Sequence, residues 1–305
     1  MRKFVLLWAM LLPVAVSLTS CHKDGVYNPK EKISRIYYQG SGQSAEKQLS
    51  ELWNWDGKKL STITYYYNTG EIEGTEKFSY DGKRLSRIDY ISDFGDGSYL
   101  LFTYDGRKLD KVEVYARGNL VGTLKYTYDG NKISKMDGTD MYIEEDYDDY
   151  AVQTRVKKHS AISRMLRFAV PDAVCETMGK IAETRMTTDT PFRQKSGTFS
   201  WTIKMTWDGD NVSKTEYTDD DDYFETIQYS YDKNKNPFYG CYTTGIYDED
   251  YQHEMASKNN VVSEIWDDGD HVEYTYQYDK KNFPTSKTLI YTGEDYTCTW
   301  YYEYE

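Results

Sequence analysis

Between residues 78 and 136 the chain writes one phrase three times: "FSYDGKRLSRIDY" at 78–90, "FTYDGRKLDKVEV" at 102–114 and "YTYDGNKISKM" at 126–136. Asp–Gly between two strand-like runs signals a hairpin. Both residues tolerate the positive φ of a tight turn whose twist matches the flanking strands. With Asp81–Gly82 as a type I′ turn, Tyr80 opposes Lys83 and Phe78 opposes Leu85, an aromatic–aliphatic pair on one face. The turn recurs at Asp56, Asp81, Asp105 and Asp129, spaced by 25, 24 and 24 residues. It returns at Asp208, and in looser form at Asp232 ("YDKNKNPF") and Asp279 ("YDKKNFP"). A second element follows each clear turn, as in "LSTI" at 60–63, "LSRI" at 85–88 and "VSKT" at 212–215. Copies without Asp–Gly stand at 33–36 ("ISRI") and 262–265 ("VSEI"), the latter read as the middle unit of the 47-residue gap from Asp232 to Asp279.

A period near 24 sustained along a chain is an array. Each unit has room for two strands of about eight residues and two turns. The expected fold is mainly β: a repetitive antiparallel β-meander of about 20 strands, curved or barrel-like. In "FSWTIKMTW" (199–207) apolar and polar residues alternate, as a two-faced strand requires. The "L-x-x-I" step places apolar residues three apart, on opposite faces of a regular strand, so either a bulge sits inside it or both faces of the sheet are partly covered; a bulge is the favoured reading, since repeated bulges would also curl the sheet. From about 140 to 198 there is no Asp–Gly hairpin, and "AISRMLRFAV" followed by Pro171 reads as a helical insertion at about 160–185.

The N-terminus gives an address. Arg2 and Lys3 precede an apolar run from Phe4 to Val16, too short for a stable spanning helix, and "LTSC" then ends at Cys21. This segment resembles a bacterial lipoprotein signal. The resemblance implies removal of residues 1–20, acylation of Cys21 and, with His22 rather than Asp next, sorting to the outer membrane; it does not select the periplasmic or the outer face. More than one acyl chain on one residue makes a firm anchor. The domain reading is therefore a signal peptide at 1–20, a tether at 21–30, and one β-repeat domain at 31–305 with an insertion at about 140–198.

The repeat itself resembles two families. One is the tyrosine–aspartate repeat of shell-forming bacterial toxins, on the motif alone. The other is a family of outer-membrane lipoproteins of unknown function from gut bacteria, with a lipobox followed by "YDG-x-K-L-S-K-I" and "YDxKxNPF" units. Its motifs match at Tyr80–Ile88, Tyr104–Val112, Tyr128–Met136 and Tyr231–Phe238. That resemblance implies a porin-like β fold and no activity. A membrane barrel needs strands of about 9–11 residues and an apolar outer band. Strands such as "KVEVYARG" are charged, so the expectation is a soluble curved sheet on a lipid tether, touching the membrane through its anchor only.

The net charge of −13, or −15 without Arg2 and Lys3, disfavours nucleic acid and anionic membrane surfaces as partners. The cysteines are Cys21, Cys175, Cys241 and Cys298, too few and too scattered for a disulfide framework or a zinc site; one bridge has room to form. No catalytic motif, cofactor loop or metal-ligand spacing is present. His271 and Glu273 share a strand face and read as a solvated pair. The acidic clusters Asp219–Asp222, Asp248–Asp250, Asp267, Asp268 and Asp270, and Asp93 with Asp96, read as solvated connections. Tyrosine is abundant, at 32 residues, and Trp53 and Trp55 beside the first clear turn are the candidates for an exposed sugar-stacking platform. The functional reading is a non-catalytic binding or scaffold lipoprotein for a glycan, peptide or protein partner, without cofactor. The alternative is a carbohydrate-active enzyme using two carboxylates about 5–10 Å apart in a cleft.

Overall fold

The computed structural model describes residues 24–40, 46–92, 97–145, 194–247, 252–291 and 297–305. Within them sixteen antiparallel strands close into a barrel. In chain order they are β1 (Ile33–Gly40), β2 (Gln48–Asp56), β3 (Lys59–Tyr66), β4 (Ile72–Asp81), β5 (Arg84–Ser92), β6 (Ser98–Asp105), β7 (Lys108–Ala116) and β8 (Asn119–Asp129). They continue as β9 (Lys132–Glu145), β10 (Gln194–Asp208), β11 (Asn211–Asp219), β12 (Phe224–Tyr231), β13 (Val261–Trp266), β14 (His271–Tyr278), β15 (Pro284–Tyr291) and β16 (Thr297–Tyr304). Each strand pairs with its sequence neighbours, and β1 closes on β16. Cys21, Cys175 and the helix expected at 160–185 lie outside the described residues.

The repeated phrase builds a hairpin one residue out of the expected register. Asp81 pairs with Arg84, Tyr80 with Leu85 and Phe78 with Ile88. The two loop residues are thus Gly82 and Lys83, and only Gly82 has positive φ (59°). That is the sign pattern of a type II′ turn, with glycine first, rather than the expected type I′. The type I′ sign pattern stands at the opposite end of the barrel, where Arg117 (φ 50°) and Gly118 (φ 79°) join β7 to β8. The bulge inside "L-x-x-I" is present: the register slips between Ser79 and Tyr80, leaving Ser86 opposite no residue of its own. The same slip recurs at Asn54/Trp55, Thr103/Tyr104, Thr127/Tyr128 and Thr206/Trp207. The bulge turns Leu85 and Ile88 to the same side, and both are buried.

The phrase also stitches each hairpin to the next. The Tyr104 hydroxyl donates to the Leu85 carbonyl of the preceding hairpin (2.7 Å), Tyr80 to Leu60 (2.9 Å) and Tyr128 to Leu109 (2.9 Å). Trp55 and Trp207 do the same with their indole N–H groups, to Ile33 and Ile133 (2.7 Å each). The cation just before the leucine lies over the next hairpin's ring, as Arg84 does over Tyr104 at 4.4 Å and Lys108 over Tyr128 at 4.9 Å. Arg84 also reaches the Gly106 carbonyl of that next turn (2.9 Å). Each hydroxyl bond is worth about 1 kcal/mol and each exposed cation–ring contact about 0.5–1 kcal/mol. Tyr304 closes the ring by donating to Pro284 (2.8 Å). Lys32 and Glu305 stand where an eighth turn would join them, with the Glu305 N–H donating to the Lys32 carbonyl (2.9 Å).

The barrel is apolar inside and charged outside. Ile63, Ile88, Leu100, Leu109, Val112, Leu124 and Met136 all line the interior, each at 0% exposure. On the outer wall, ion pairs join residues two apart on one strand: Arg87–Asp89, Lys111–Glu113, Lys135–Asp137 and Lys214–Glu216. Between β12 and β13 the chain does not turn tightly. The described residues 236–247 and 252–257 enter the lumen, with a 3-10 turn at Thr244–Tyr247 and a short helix α1 (Gln252–Ala256). Cys241, Ile246 and Met255 are buried there among strand residues, Phe238 packs on Trp53 and Tyr302, and Tyr242 packs on Phe102.

This insertion corrects two expectations. The "VSEI" copy is not a separate middle unit but the second strand of the Asp232 hairpin, delayed by the insertion, and it sits one residue earlier than read: Tyr231 pairs with Val261 and Tyr229 with Glu264. Among the described residues the strands number sixteen, against about 20 expected, and part of the chain tiled at the repeat period fills the barrel instead. Residues 24–32, largely read as tether, pack across the hairpin end. The Asp24 carboxylate accepts the Leu109 N–H (3.0 Å) and the Tyr128 hydroxyl (2.8 Å), Gly25 accepts the Leu85 N–H (2.8 Å), and Tyr27 donates to Pro237 (2.6 Å). A side chain at Gly25 would collide with the Tyr104 ring, its Cβ 2.0 Å from the hydroxyl oxygen.

Candidate functional site in the barrel lumen

Aligning the repeats position by position shows where the lumen departs from its own rule. Five residues before the turn aspartate stand Leu100, Leu124, Ile203 and Ile227 in four copies, but Glu51 and Glu76 in the two copies before them. Across from the buried ring of each hairpin stand Ile63, Ile88, Val112 and Met136, but Glu264 on β13 and Lys287 on β15. A buried charge is costly unless it is paired and hydrogen-bonded. The inserted segment supplies most of the partners.

His253 on α1 stacks on Tyr229 (4.2 Å between centroids) and meets Glu264 at 3.3 Å. Glu254, next to it, pairs with Lys287 at 2.9 Å. Across the lumen, one oxygen of Glu76 accepts the Thr244 N–H (3.0 Å), the Thr244 hydroxyl and the Tyr65 hydroxyl (3.1 Å). Asn236 holds the segment's fold by donating to the Glu254 (2.6 Å) and Ser257 (2.9 Å) carbonyls. Ser257 links two strands, accepting the Val212 N–H (3.0 Å) and donating to the Tyr231 hydroxyl (3.0 Å). Three of the four departures, Glu76, Glu264 and Lys287, are therefore docking points of the plug, while Glu51 accepts from Trp53 on its own strand.

Burial sets the protonation of this cluster. Burial pushes the Glu76 carboxyl up from its ordinary value, against the Thr244 and Tyr65 hydrogen bonds that favour the charged form. Glu51 goes from 4.5 to about 7, chiefly by burial, with the charges of Glu76 and Glu254 adding to it and the Trp53 N–H (2.7 Å) opposing. Burial would raise Glu264 as well, but His253 and Lys287 outweigh it and hold that carboxyl below its ordinary value. Burial raises the Cys241 thiol well above its ordinary value, which leaves it un-ionised and unreactive at neutral pH. Cys241 and Cys298 are both free thiols, and the Tyr38 hydroxyl lies 3.2 Å from the Cys298 sulfur.

The residues singled out from the sequence fall elsewhere. Trp53 and Trp55 make no exposed platform: they face inward, Trp53 at 3% exposure against Phe238 and Trp55 bonded to the Ile33 carbonyl. Alternation along β2 puts both rings on the lumen side, and the bulge in β3 brings Leu60 and Ile63 to that side with them. His271 and Glu273 lie on the outer face of β14, on either side of the buried Val272. The acidic runs shape connections at the end opposite the hairpins: Asp219 accepts the N–H groups of Asp221 and Tyr223 (3.0 Å each), and Asp268 that of Asp270 (3.0 Å). Asp93, Asp96 and Asp248–Asp250 lie outside the described residues. Among the described residues, no three His, Cys, Asp or Glu side chains are placed to hold a metal ion. The lumen acids were missed because each looks like an ordinary strand carboxylate until its copy is laid over the others.

Fold and lumen define a closed antiparallel barrel occupied by a segment of its own chain. Its shape is similar to that of a porin-like protein from Bacteroides uniformis (TM-score 0.48, 12% identity, covering 90% of this chain and 98% of that one). It is also similar to a porin-like protein from Bacteroides vulgatus (TM-score 0.44, 12% identity, 90% and 99%). No family model matches the chain, and no curated protein does at a significant level.

Proposed function

We propose that this is a non-catalytic, lipid-anchored protein of the bacterial envelope, held at the outer membrane through Cys21 and serving as a binding or scaffold module for a glycan, peptide or protein partner. The observation that carries the reading is the filling of the barrel by residues 236–247 and 252–257, docked through Glu76–Thr244, His253–Glu264 and Glu254–Lys287. An interior packed in this way is neither an open pore nor a substrate cleft. The wall supports the same reading: a lipid-facing barrel needs an apolar outer band, and this one bears Arg87–Asp89, Lys111–Glu113, Lys135–Asp137 and Lys214–Glu216. The carbohydrate-active alternative needs two carboxyls flanking an open cleft. Glu51 and Glu76 are neighbours electrostatically, yet Glu76 has 0% exposure, which speaks against that use.

The test is a binding screen of the chain from residue 22 against glycans and envelope proteins, with planar-bilayer conductance measured alongside. The expected result is a recovered partner and no channel activity. Steady ion conductance, or release of sugar from any glycan tested, would discard the proposal. Incorporation of a labelled fatty acid that disappears in Cys21→Ser checks the anchor.

A further inference from the structure

The proposed anchor ends three residues before Asp24, and Asp24 is pinned. Its N–H donates to the Arg107 carbonyl (3.2 Å), and its carboxylate accepts from Leu109 and Tyr128. All three partners sit in or beside the tight hairpin turns. Three residues span at most about 10 Å, so whatever is attached to Cys21 begins beside the hairpin end. The chain has no slack with which to present another face.

Charge divides the same way. At the hairpin end the exposed tips carry Lys58, Lys83, Arg107, Lys233, Lys258 and Lys280. The turn aspartates Asp56, Asp81, Asp105, Asp129, Asp208 and Asp279 offset these six, Lys258 is paired with Asp210, and the positive excess rests on Lys59, Arg84, Lys108 and Lys132, the first strand residues after the turns. At the opposite end the described connections carry Asp219–Asp222, Asp267, Asp268 and Asp270, with Lys47 and Arg117 as cations. In a chain of net charge −13, the hairpin end is the face that anionic phosphate headgroups attract rather than repel.

We propose that the hairpin end is a membrane-docking face: the barrel stands on the phosphate headgroups of the leaflet that holds its acyl chains, and its acidic end points away. This rests on acylation of Cys21. A rival contact exists, because the large exposed apolar side chains among the described residues, Ile72, Ile91, Met141, Phe224, Ile265 and Ile290 among them, stand toward the acidic end. Glu71, Glu73, Glu225 and Asp267 lie beside them along the chain and Glu273 is paired with Ile290, and an anionic surface repels those carboxylates.

Depth quenching in vesicles decides between the two. The full acylated chain is reconstituted in phosphatidylethanolamine–phosphatidylglycerol vesicles containing a headgroup-quencher lipid. Cys175 is changed to Ser, and a fluorophore is placed at Lys83→Cys or at Asp268→Cys; the buried Cys241 and Cys298 stay in place. The ends of a strand of eight tilted residues are about 20 Å apart, so quenching is expected to be several-fold stronger at position 83 than at 268. Equal quenching, or stronger quenching at 268, overturns the docking face while leaving the anchor intact. Absence of fatty acid on Cys21, seen by mass spectrometry and loss of flotation, overturns the anchor and the docking face together. The triple change Lys58→Glu, Lys83→Glu, Arg107→Glu, labelled instead at Asp105→Cys, is expected to lower quenching there at least twofold. Unchanged quenching would remove the role of charge.

Discussion

The two ends of this barrel are made by different rules. At the hairpin end one phrase is used again and again, and its tyrosine, glycine, cation and leucine each meet the neighbouring copy in the same way. At the opposite end three described connections, at 67–71, 219–223 and 266–270, share a wider five-residue turn with positive φ at its fourth residue, Arg117–Gly118 makes a two-residue turn, and none of them carries the repeated tyrosine stitch. The contrast teaches where the fold's specificity resides. A repeated contact that links copy to copy fixes the order and register of strands around the ring, so the far connections are left free to vary in length and charge.

That contrast can be broken from either side. The largest effect is expected from Leu109→Ala, which empties a site of 0% exposure beneath a hairpin and should cost about 2–5 kcal/mol; Leu120→Ala at the far rim, 39% exposed, should stay within about 0.5 kcal/mol. Urea midpoints of the two variants, compared at equal slope, measure the difference, and similar losses would contradict a stability concentrated beneath the hairpins. Next comes Glu51, midway along the barrel. Folding raises this carboxyl from 4.5 to about 7, so the fold favours its protonated form. Its contribution is greatest below pH 4.5 and is lost as pH rises toward 7, by at most about 3 kcal/mol. Glu51→Gln should therefore flatten the decline in stability between pH 5 and pH 8, with unfolding curves at the two pH values as the readout. Glu76 shifts in the same direction and leaves part of the slope in place.

Smaller effects sharpen the comparison. Gly106 holds φ at 58° with open space around a would-be Cβ, so Gly106→Ala should cost about 1–2 kcal/mol through backbone strain alone. Thermal unfolding of this variant beside Gly97→Ala, a far-end glycine with no positive φ recorded, separates strain from general glycine effects. The smallest change, Tyr104→Phe, removes the 2.7 Å bond to Leu85 and should cost about 1 kcal/mol. Amide exchange in β5 and β6 should rise with it, and unaltered exchange would mean the stitch is ornamental.

Much of this architecture was legible. Asp–Gly at a fixed period announced antiparallel hairpins, and apolar residues three apart favoured a bulge, which the pairing of Phe78 with Ile88 and Tyr80 with Leu85 requires. The turn type was misread by one position because Asp and Gly both tolerate positive φ, and only the ladder between Asp81 and Arg84 reveals which of them serves the loop. Closure was not readable, since it depends on β1 meeting β16 across the whole chain. The lumen site was hidden for a different reason. Glu51, Glu76, Glu264 and Lys287 look like solvated strand residues, and they become informative only against Leu100, Leu124, Ile88 and Val112 at the matching places. A segment without strand alternation, such as 236–257, gives no local sign that it fills a barrel.

The pairing of β1 with β16 also sets an order of assembly. A ribosome delivers β1 long before β16, so through nearly all of synthesis and export the first strand offers a bare row of N–H and C=O groups, the kind of edge that invites intermolecular pairing. Residues 232–260 are likewise made before β13 to β16. The filling thus precedes β13 to β16 in the chain, and a wall closing in that order would wrap its last four strands around an occupied interior.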